Sequence, residues 1–189
     1  MYHIENGFIK EARQITTENC DERRDPNDIN LLVIHNISLP PGEFGNGNIE
    51  KLFTNQLEAT AHPYFATILP LSVSAHVVID REGQLTQFVS FNQRAWHAGQ
   101  SIFQGRDACN DYSIGVELEG TDNTAYTEKQ YQTAAQLTVA LMQQYKGITA
   151  SRIVGHSDIA PGRKTDPGDA FDWNYFRALL QQPINRDLS

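Results

Sequence analysis

The sequence predicts a mixed α/β domain whose helices cover a sheet, and three observations carry that prediction. Leu31-Leu32-Val33-Ile34-His35-Asn36 is an apolar run short enough for a buried strand. Ser113 to Glu119 alternates in side-chain character, and capped amphipathic helices are signalled after Thr127 and after Asp172. Taken in order, Asn30 to Ile37 reads as a strand that delivers His35 at its carboxyl end. Ala75 to Asp80 and Gln84 to Val89 read as a hairpin turning at Arg81-Glu82-Gly83. In Ser113 to Glu119, Ile114, Val116 and Leu118 share one face, expected to be core. Gly115, Glu117 and Glu119 share the other, expected to look toward chemistry. Thr127 with Gln130 fits a capping box, and Tyr131, Ala134, Ala135, Thr138, Leu141, Met142 and Tyr145 form a mostly apolar stripe ended by Gly147. Arg152 to Gly155 is a short strand presenting His156, and Asp172 caps a last helix that buries Trp173, Phe176, Leu179 and Leu180. Residues 40–73 and 91–110 remain as long loops with short helical pieces, expected to form the walls of a substrate cleft.

At 189 residues, 40% hydrophobic and 10% aromatic, the chain suits one domain spanning residues 1–189, with no repeat, low-complexity tract or linker to divide it. The start lacks the basic and apolar regions of a secretory signal, and no run approaches ~18 apolar residues, so a cytosolic location is expected. Two cysteines, Cys20 and Cys109, make no disulfide framework and fit a reducing compartment. A net charge of −8 argues against nucleic acid or an anionic membrane as partner. Any cationic help for an anionic substrate must therefore be local, from Arg94, Arg106, Arg163 or Lys164.

The residues with the most chemistry are His35 and the stretch from Gly155 to Gly168, which holds His156, Lys164 and Asp166 among prolines and glycines. Two uncharged imidazoles and one carboxylate would leave Zn²⁺ with a single net positive charge and an open tetrahedral position. Such an ion makes hydroxide accessible near neutral pH and polarises a carbonyl, which suits amide hydrolysis. A lone histidine is more often a packed residue, and the spacing of His156 and Asp166 is not a general zinc motif. Cys109 could take the place of a carboxylate. Strand alternation cannot choose between Glu117 and Glu119 as the acid/base. Lys164 lies two residues before Asp166 and could face the same cavity to stabilise an oxyanion. Trp96 offers a flat apolar platform for a sugar ring, and Asn36 an amide for an acetamido or peptide group, so both are substrate-contact candidates.

Several stretches resemble one family when read together: His35-Asn36-Ile37-Ser38-Leu39-Pro40-Pro41-Gly42-Glu43-Phe44, Ser74-Ala75-His76, Arg94-Ala95-Trp96-His97-Ala98-Gly99, Asn110 to Gly120, and Gly155 to Gly168. The family is that of the zinc N-acetylmuramoyl-L-alanine amidases related to phage T7 lysozyme and the peptidoglycan recognition proteins. The branch most resembled is the cytosolic 1,6-anhydromuramoyl amidases of bacterial cell-wall recycling. The resemblance runs in order over nearly the whole chain. It implies a central mixed β-sheet flanked by helices, one Zn²⁺ held by His35, His156 and Asp166, and Glu117 as acid/base. It also implies Lys164 as the cation at the oxyanion, and a monomer acting on small anhydromuramoyl peptides. Where an inducible β-lactamase exists, such an enzyme would keep the inducing muropeptides low. Relatives often carry a basic residue where this chain has Ala108, so Arg106 is expected to take over contact with peptide carboxylates. His62, His76 and His97 are expected in core or supporting roles. A lytic amidase of intact murein, a non-catalytic peptidoglycan-binding module and a purely structural metal site are the alternative readings.

Overall fold

The structure is a computed structural model that describes residues 2–69 and 71–182. Its centre is a six-stranded mixed sheet: β1 (Arg13–Gln14), β2 (Leu31–Ile37), β3 (Val77–Ile79), β4 (Leu85–Gln87), β5 (Ser113–Glu119) and β6 (Ile153–Gly155), in spatial order β6-β2-β5-β3-β4-β1. β2, β5 and β6 run parallel, and β5 is also parallel to β3; β3 and β4 form the expected antiparallel hairpin. Parallel strands end at the same edge of a sheet, where ligand crevices form outside their carboxyl ends. Here the register sets Glu117 opposite His35 and ends β6 at Gly155, directly before His156.

β2 and β5 are apolar because both of their faces are covered, as is usual for parallel strands. All seven residues of β5 are buried, so the face that carries Gly115, Glu117 and Glu119 is covered as well as the apolar one. On one side Leu32, Ile34, Ile114, Val116 and Leu118 pack under the helices α3 (Glu128–Gln144) and α5 (Trp173–Gln181). On the other, Leu31 and Val33 meet Ala98, Cys109, Tyr112 and Ile159. His35 continues that second row by strand period, which directs its ring away from the helix layer.

The caps behave as the sequence requires. Thr127 Oγ1 accepts the Gln130 N–H at 3.1 Å and Gln130 Oε1 accepts the Thr127 N–H at 3.1 Å, closing the capping box of α3. Asp172 accepts the Tyr175 N–H at 2.9 Å and starts α5, in which only Phe176 is fully buried while Trp173, Leu179 and Leu180 are partly covered. α3 stops at Gln144, short of Gly147.

The long loops carry structure of their own. Residues 40–73 include α1 (Asn48–Phe53) and α2 (Phe65–Ile68), whose Leu52, Phe53 and Phe65 build a second core with Leu39, Val78 and Phe88. Within 91–110, Gln93–Ala95 pairs with Cys20–Glu22, and Ile102–Phe103 with Arg106–Asp107. The first thirty residues, where the sequence signalled no element, supply β1 and a small pair of Ile4–Glu5 with Phe8–Ile9. They also supply Arg23, a buried guanidinium that donates to the carbonyls of Phe91, Asp111 and Ser113 and so fastens the start of β5.

After α4 (His156–Ile159) the chain turns back over the sheet edge, and Gly168 makes that return possible. Its φ is +77°, and a Cβ there would lie 2.2 Å from Asp122 Cα. Replacing Gly168 with Ala combines left-handed strain with this collision and should cost roughly 1–3 kcal/mol or more. Urea unfolding checks this, and a neutral Gly168→Ala would show that the return loop is not held where it is described.

Candidate metal centre

Three ligand-type side chains converge at the carboxyl edge of the sheet. His35 Nδ1 and His156 Nδ1 stand 3.0 Å apart, and Asp166 Oδ2 lies 3.1 Å from the first and 3.0 Å from the second. Among the described residues, this is the group whose ligand atoms could surround one ion. Both histidines are nearly inaccessible, at 1% and 3% exposure, so a charge here is weakly screened. β2 presents His35 and the first residue of α4 is His156. Asp166 is brought back by its carbonyl accepting the Ser157 N–H at 3.0 Å, and by Pro167, whose carbonyl accepts from Tyr126 Oη at 2.7 Å and Asn36 Nδ2 at 3.1 Å.

The donor set fits zinc. His156 Nε2 lies 3.2 Å from the Ala98 carbonyl, which can only accept, so the hydrogen of the uncharged ring sits on Nε2. Nδ1 then turns a lone pair toward a carboxylate oxygen 3.0 Å away, an arrangement of two acceptors that a cation between them resolves. Ligands ~2.0–2.1 Å from a tetrahedral zinc stand about 3.3 Å apart, close to the 3.0 to 3.1 Å edges observed here. Burial pushes the His35 imidazole down to about 4 against the opposing pull of Asp166, and this burial keeps the ring in the unprotonated form that binds metal. Asp166 is held below the usual carboxylate range: burial opposes its charge, and its two imidazole neighbours outweigh that opposition.

Glu117 lies beside the triad, with Oε1 4.0 Å from His35 Nδ1. Burial raises its carboxyl well above the ordinary range, the Asp166 charge adds to the rise, and Lys164 counteracts it. Its Oε2 is buried with no hydrogen-bond partner among the described residues, so a lone-pair-bearing atom of this carboxyl is left unmatched. Glu119 is differently placed. Its Oε1 accepts the Gly45 N–H at 2.6 Å and its Oε2 the Arg81 N–H at 3.3 Å, so loop backbone already uses both oxygens. Geometry thus separates two glutamates that strand alternation leaves equivalent.

The triad and Glu117 open into a cavity of about 550 Å³, also lined by Trp96, Tyr64, Leu71, Arg163 and Lys164. Trp96 lines the same cavity, and its indole Nε1 is buried with no hydrogen-bond partner among the described residues. Asn36 lines the cavity too, but its amide hydrogens go to Asp122 Oδ1 at 2.8 Å and the Pro167 carbonyl, so it anchors the Asp166 loop. Arg106 does not join the others. Its hairpin turns it toward Asp28, 2.5 Å away, with the guanidinium 3.9 Å over the Tyr112 ring, and it is absent from the cavity wall. Arg94 is likewise engaged with Asp21 and Asp111, leaving Arg163 and Lys164 as the cations at the cleft. His76 is buried, its Nδ1 accepting the Gly115 N–H at 3.0 Å, and His97 touches His35. His62 sits outside the core, beside Phe65 on a loop. Cys109 is buried against Tyr112, away from the triad. Tyr64, Asp122 and Asn123 also line the wall, without any sequence pattern that marks them. No helix among the described residues is long and apolar enough to cross a membrane.

Comparison with known proteins identifies the family and the fold. Residues 25–169 match the family described as N-acetylmuramoyl-L-alanine amidase. The chain is 52% identical over 186 residues to the 1,6-anhydro-N-acetylmuramyl-L-alanine amidase AmpD of Citrobacter freundii, covering 98% of this chain and 99% of that one. A crystal structure of a selenomethionine AmpD derivative superposes with a TM-score of 0.92 at 54% identity, over 94% of this chain and 99% of the other. AmpDh3 from Pseudomonas aeruginosa, solved in complex with anhydromuramic pentapeptide, matches with a TM-score of 0.64 at 27% identity over 80% of this chain and 60% of that one.

The buried imidazoles set a pH dependence for the metal-free protein. His35, His76 and His97 are all held below 6.5, chiefly by burial, so below pH 6.5 the unfolded chain binds their protons and the folded chain does not. Stability is therefore full above pH 6.5 and falls as pH drops toward 4, by on the order of 3 kcal/mol from His35 alone. Glu117, raised rather than lowered, works in the opposite direction. Urea unfolding of chelator-treated protein between pH 7 and 4.5 should show the loss. A flat profile that persists in a Glu117→Gln variant, where the opposing carboxyl is gone, would mean that the imidazoles are not buried in uncharged form.

Proposed function

The chain belongs to the N-acetylmuramoyl-L-alanine amidase family, and from that premise we propose that it is a zinc-dependent 1,6-anhydro-N-acetylmuramoyl-L-alanine amidase of peptidoglycan recycling. The bond cut is the amide between the lactyl group of the muramic acid and the L-alanine of the stem peptide, with water as second substrate. The observation that carries this reading is the convergence of His35, His156 and Asp166 beside a buried Glu117 carboxyl with an unpartnered oxygen, all lining one cleft.

His35, His156 and Asp166 would hold one Zn²⁺, which when bound supplies a Lewis acid for the carbonyl and lowers the pKa of the attacking water to about 7. Glu117 takes the proton from that water as it adds to the amide carbon, and returns it to the departing alanine nitrogen. Its burial suits the role, since a carboxyl with a raised affinity for protons can hold one between the two transfers. Lys164 sits on the loop that carries Asp166 and lines the same cavity, with no carboxylate bridged to it among the described residues. Its charge is available to the oxyanion that develops on the carbonyl oxygen, where a preoriented cation in a poorly hydrated site has most effect. Trp96 supplies the apolar surface against which the sugar lies, and Arg163 a cation for the peptide carboxylates. Arg163 takes that role in place of Arg106, which is turned away.

A cavity of about 550 Å³ is in the range of small-molecule sites. It has room for one amino sugar with its lactyl arm and the first peptide residues. The whole chain acts as one catalytic domain, a monomer in the cytoplasm, with the small muropeptide as partner and neither nucleic acid nor membrane. The net charge of −8 supports the last two points. Where an inducible β-lactamase exists, turnover would hold the inducing muropeptide low.

Mass spectrometry of purified anhydromuropeptides incubated with zinc-loaded protein should show free peptide and anhydro-sugar, with far slower attack on intact sacculi. Glu117→Ala should keep its zinc by elemental analysis while turnover falls by roughly 10²–10⁴. Lysis of sacculi without preference for the anhydro-sugar would contradict the recycling assignment, and an undiminished Glu117→Ala would remove the glutamate from the mechanism.

A further inference from the structure

The outer nitrogens of the two histidines in the metal centre are served by consecutive residues. His35 Nε2 lies 2.9 Å from His97 Nδ1, and His156 Nε2 lies 3.2 Å from the carbonyl of Ala98. The His97 ring passes the contact on, with Nε2 3.1 Å from Ser113 Oγ, and meets the His35 ring edge to face at 87° with centroids 5.0 Å apart. The ring lies against β5 at Gly115, where a Cβ would come within 2.4 Å of it, so only glycine leaves room for the imidazole. The backbone of the same two residues is pinned. Asn110 Oδ1 accepts the His97 N–H at 3.1 Å and the Ala98 N–H at 2.8 Å, and Arg163 Nη2 donates to the Ala98 carbonyl at 2.8 Å.

We propose that residues 97–98 form a single support that holds both metal-facing imidazoles in the tautomer with hydrogen on Nε2, His97 being the positioning residue for His35 and the Ala98 carbonyl its counterpart for His156. This rests on the reading of His35, His156 and Asp166 as a metal site. For His156 the direction of the contact is fixed, because a carbonyl only accepts. For His35 it follows if the ring donates to His97 Nδ1 and His97 donates in turn to Ser113 Oγ. Both Nδ1 atoms then present lone pairs to the centre before any ion arrives. In the reverse direction, from Ser113 through His97 to His35, a hydrogen would occupy His35 Nδ1 and block ligation. Partners of this kind orient a ligand and raise its basicity, and their removal costs about 10–100-fold in metal affinity. Asn110 serves both arms, since it holds the two backbone groups that aim the ring and the carbonyl.

Zinc affinity, read by competition with a chromophoric chelator, should fall 10–100-fold in His97→Ala. His97→Asn should recover most of the loss, because its carboxamide oxygen can accept the same hydrogen. A merely structural role would not select for an acceptor in this way. Independently of any variant, long-range proton–nitrogen correlation spectra of metal-free wild-type protein should place the hydrogen of His35 on Nε2. A folded His97→Ala that binds zinc as tightly as wild type, or a His35 hydrogen on Nδ1, overturns the proposal and leaves the metal site standing. Wild-type protein that takes up no zinc overturns both.

Discussion

The parallel pairing of β2 with β5 is the constraint from which the site follows. Seven consecutive residues are in register, from Ser113 opposite Leu31 to Glu119 opposite Ile37, and that register sets Glu117 beside His35. A slip of one residue would turn Glu117 to the helix-covered face and bring an apolar side chain to the centre. The register is secured because both strands are buried on both faces: Leu32, Ile34, Ile114, Val116 and Leu118 are committed to the helix layer, and Leu31 and Val33 to the loop layer. β6, paired parallel to β2 on its other side, then has nowhere to end except beside the same edge, and His156 is the next residue. The hydrophobic terms that hold the sheet together therefore also set the distances at the metal centre.

Charge at that centre is balanced locally, against the net charge of −8. Two carboxyls, Glu117 and Asp166, share a poorly hydrated pocket but sit in different surroundings. Asp166 faces two imidazoles and stays ionised, while Glu117 has no such partner and is driven toward its protonated form. Groups of one chemical kind with proton affinities pushed apart are the usual arrangement of an acid/base next to an electrostatic anchor. Lys164 and Arg163 bring positive charge to the rim, from the same return loop that delivers Asp166. Anchor, cation and ligand thus depend on one short segment folded back against Asn36, Asp122 and Tyr126.

Much of this was legible in the residues. The apolar run at 31–36, the alternation at 113–119 and the caps at Thr127 and Asp172 correspond to β2, β5, α3 and α5, because each depends on local periodicity or a local hydrogen bond. The short pairings of the first thirty residues and of 91–110 were not legible, since strands of two or three residues carry no period and depend on their partners. Local pattern could not choose Glu117 over Glu119. The difference lies in Gly45 and Arg81, far away in the chain, whose backbone N–H groups occupy one glutamate and leave the other. Arg106 was misread for a similar reason: nothing near it in sequence reveals that Asp28 and Tyr112 wait on the side away from the cleft. Asn36, expected to meet substrate, lines the cavity with its amide turned to loop backbone and Asp122.

The account turns on one ion among His35 Nδ1, His156 Nδ1 and Asp166 Oδ2. Anomalous diffraction from crystals of the zinc-loaded protein, collected on either side of the zinc absorption edge, tests it most directly. The account predicts a single strong peak about 2.0–2.1 Å from each of those three atoms, with the fourth position open to the cleft. A peak elsewhere, or side chains at this edge ordered as described with no peak among them, would contradict it.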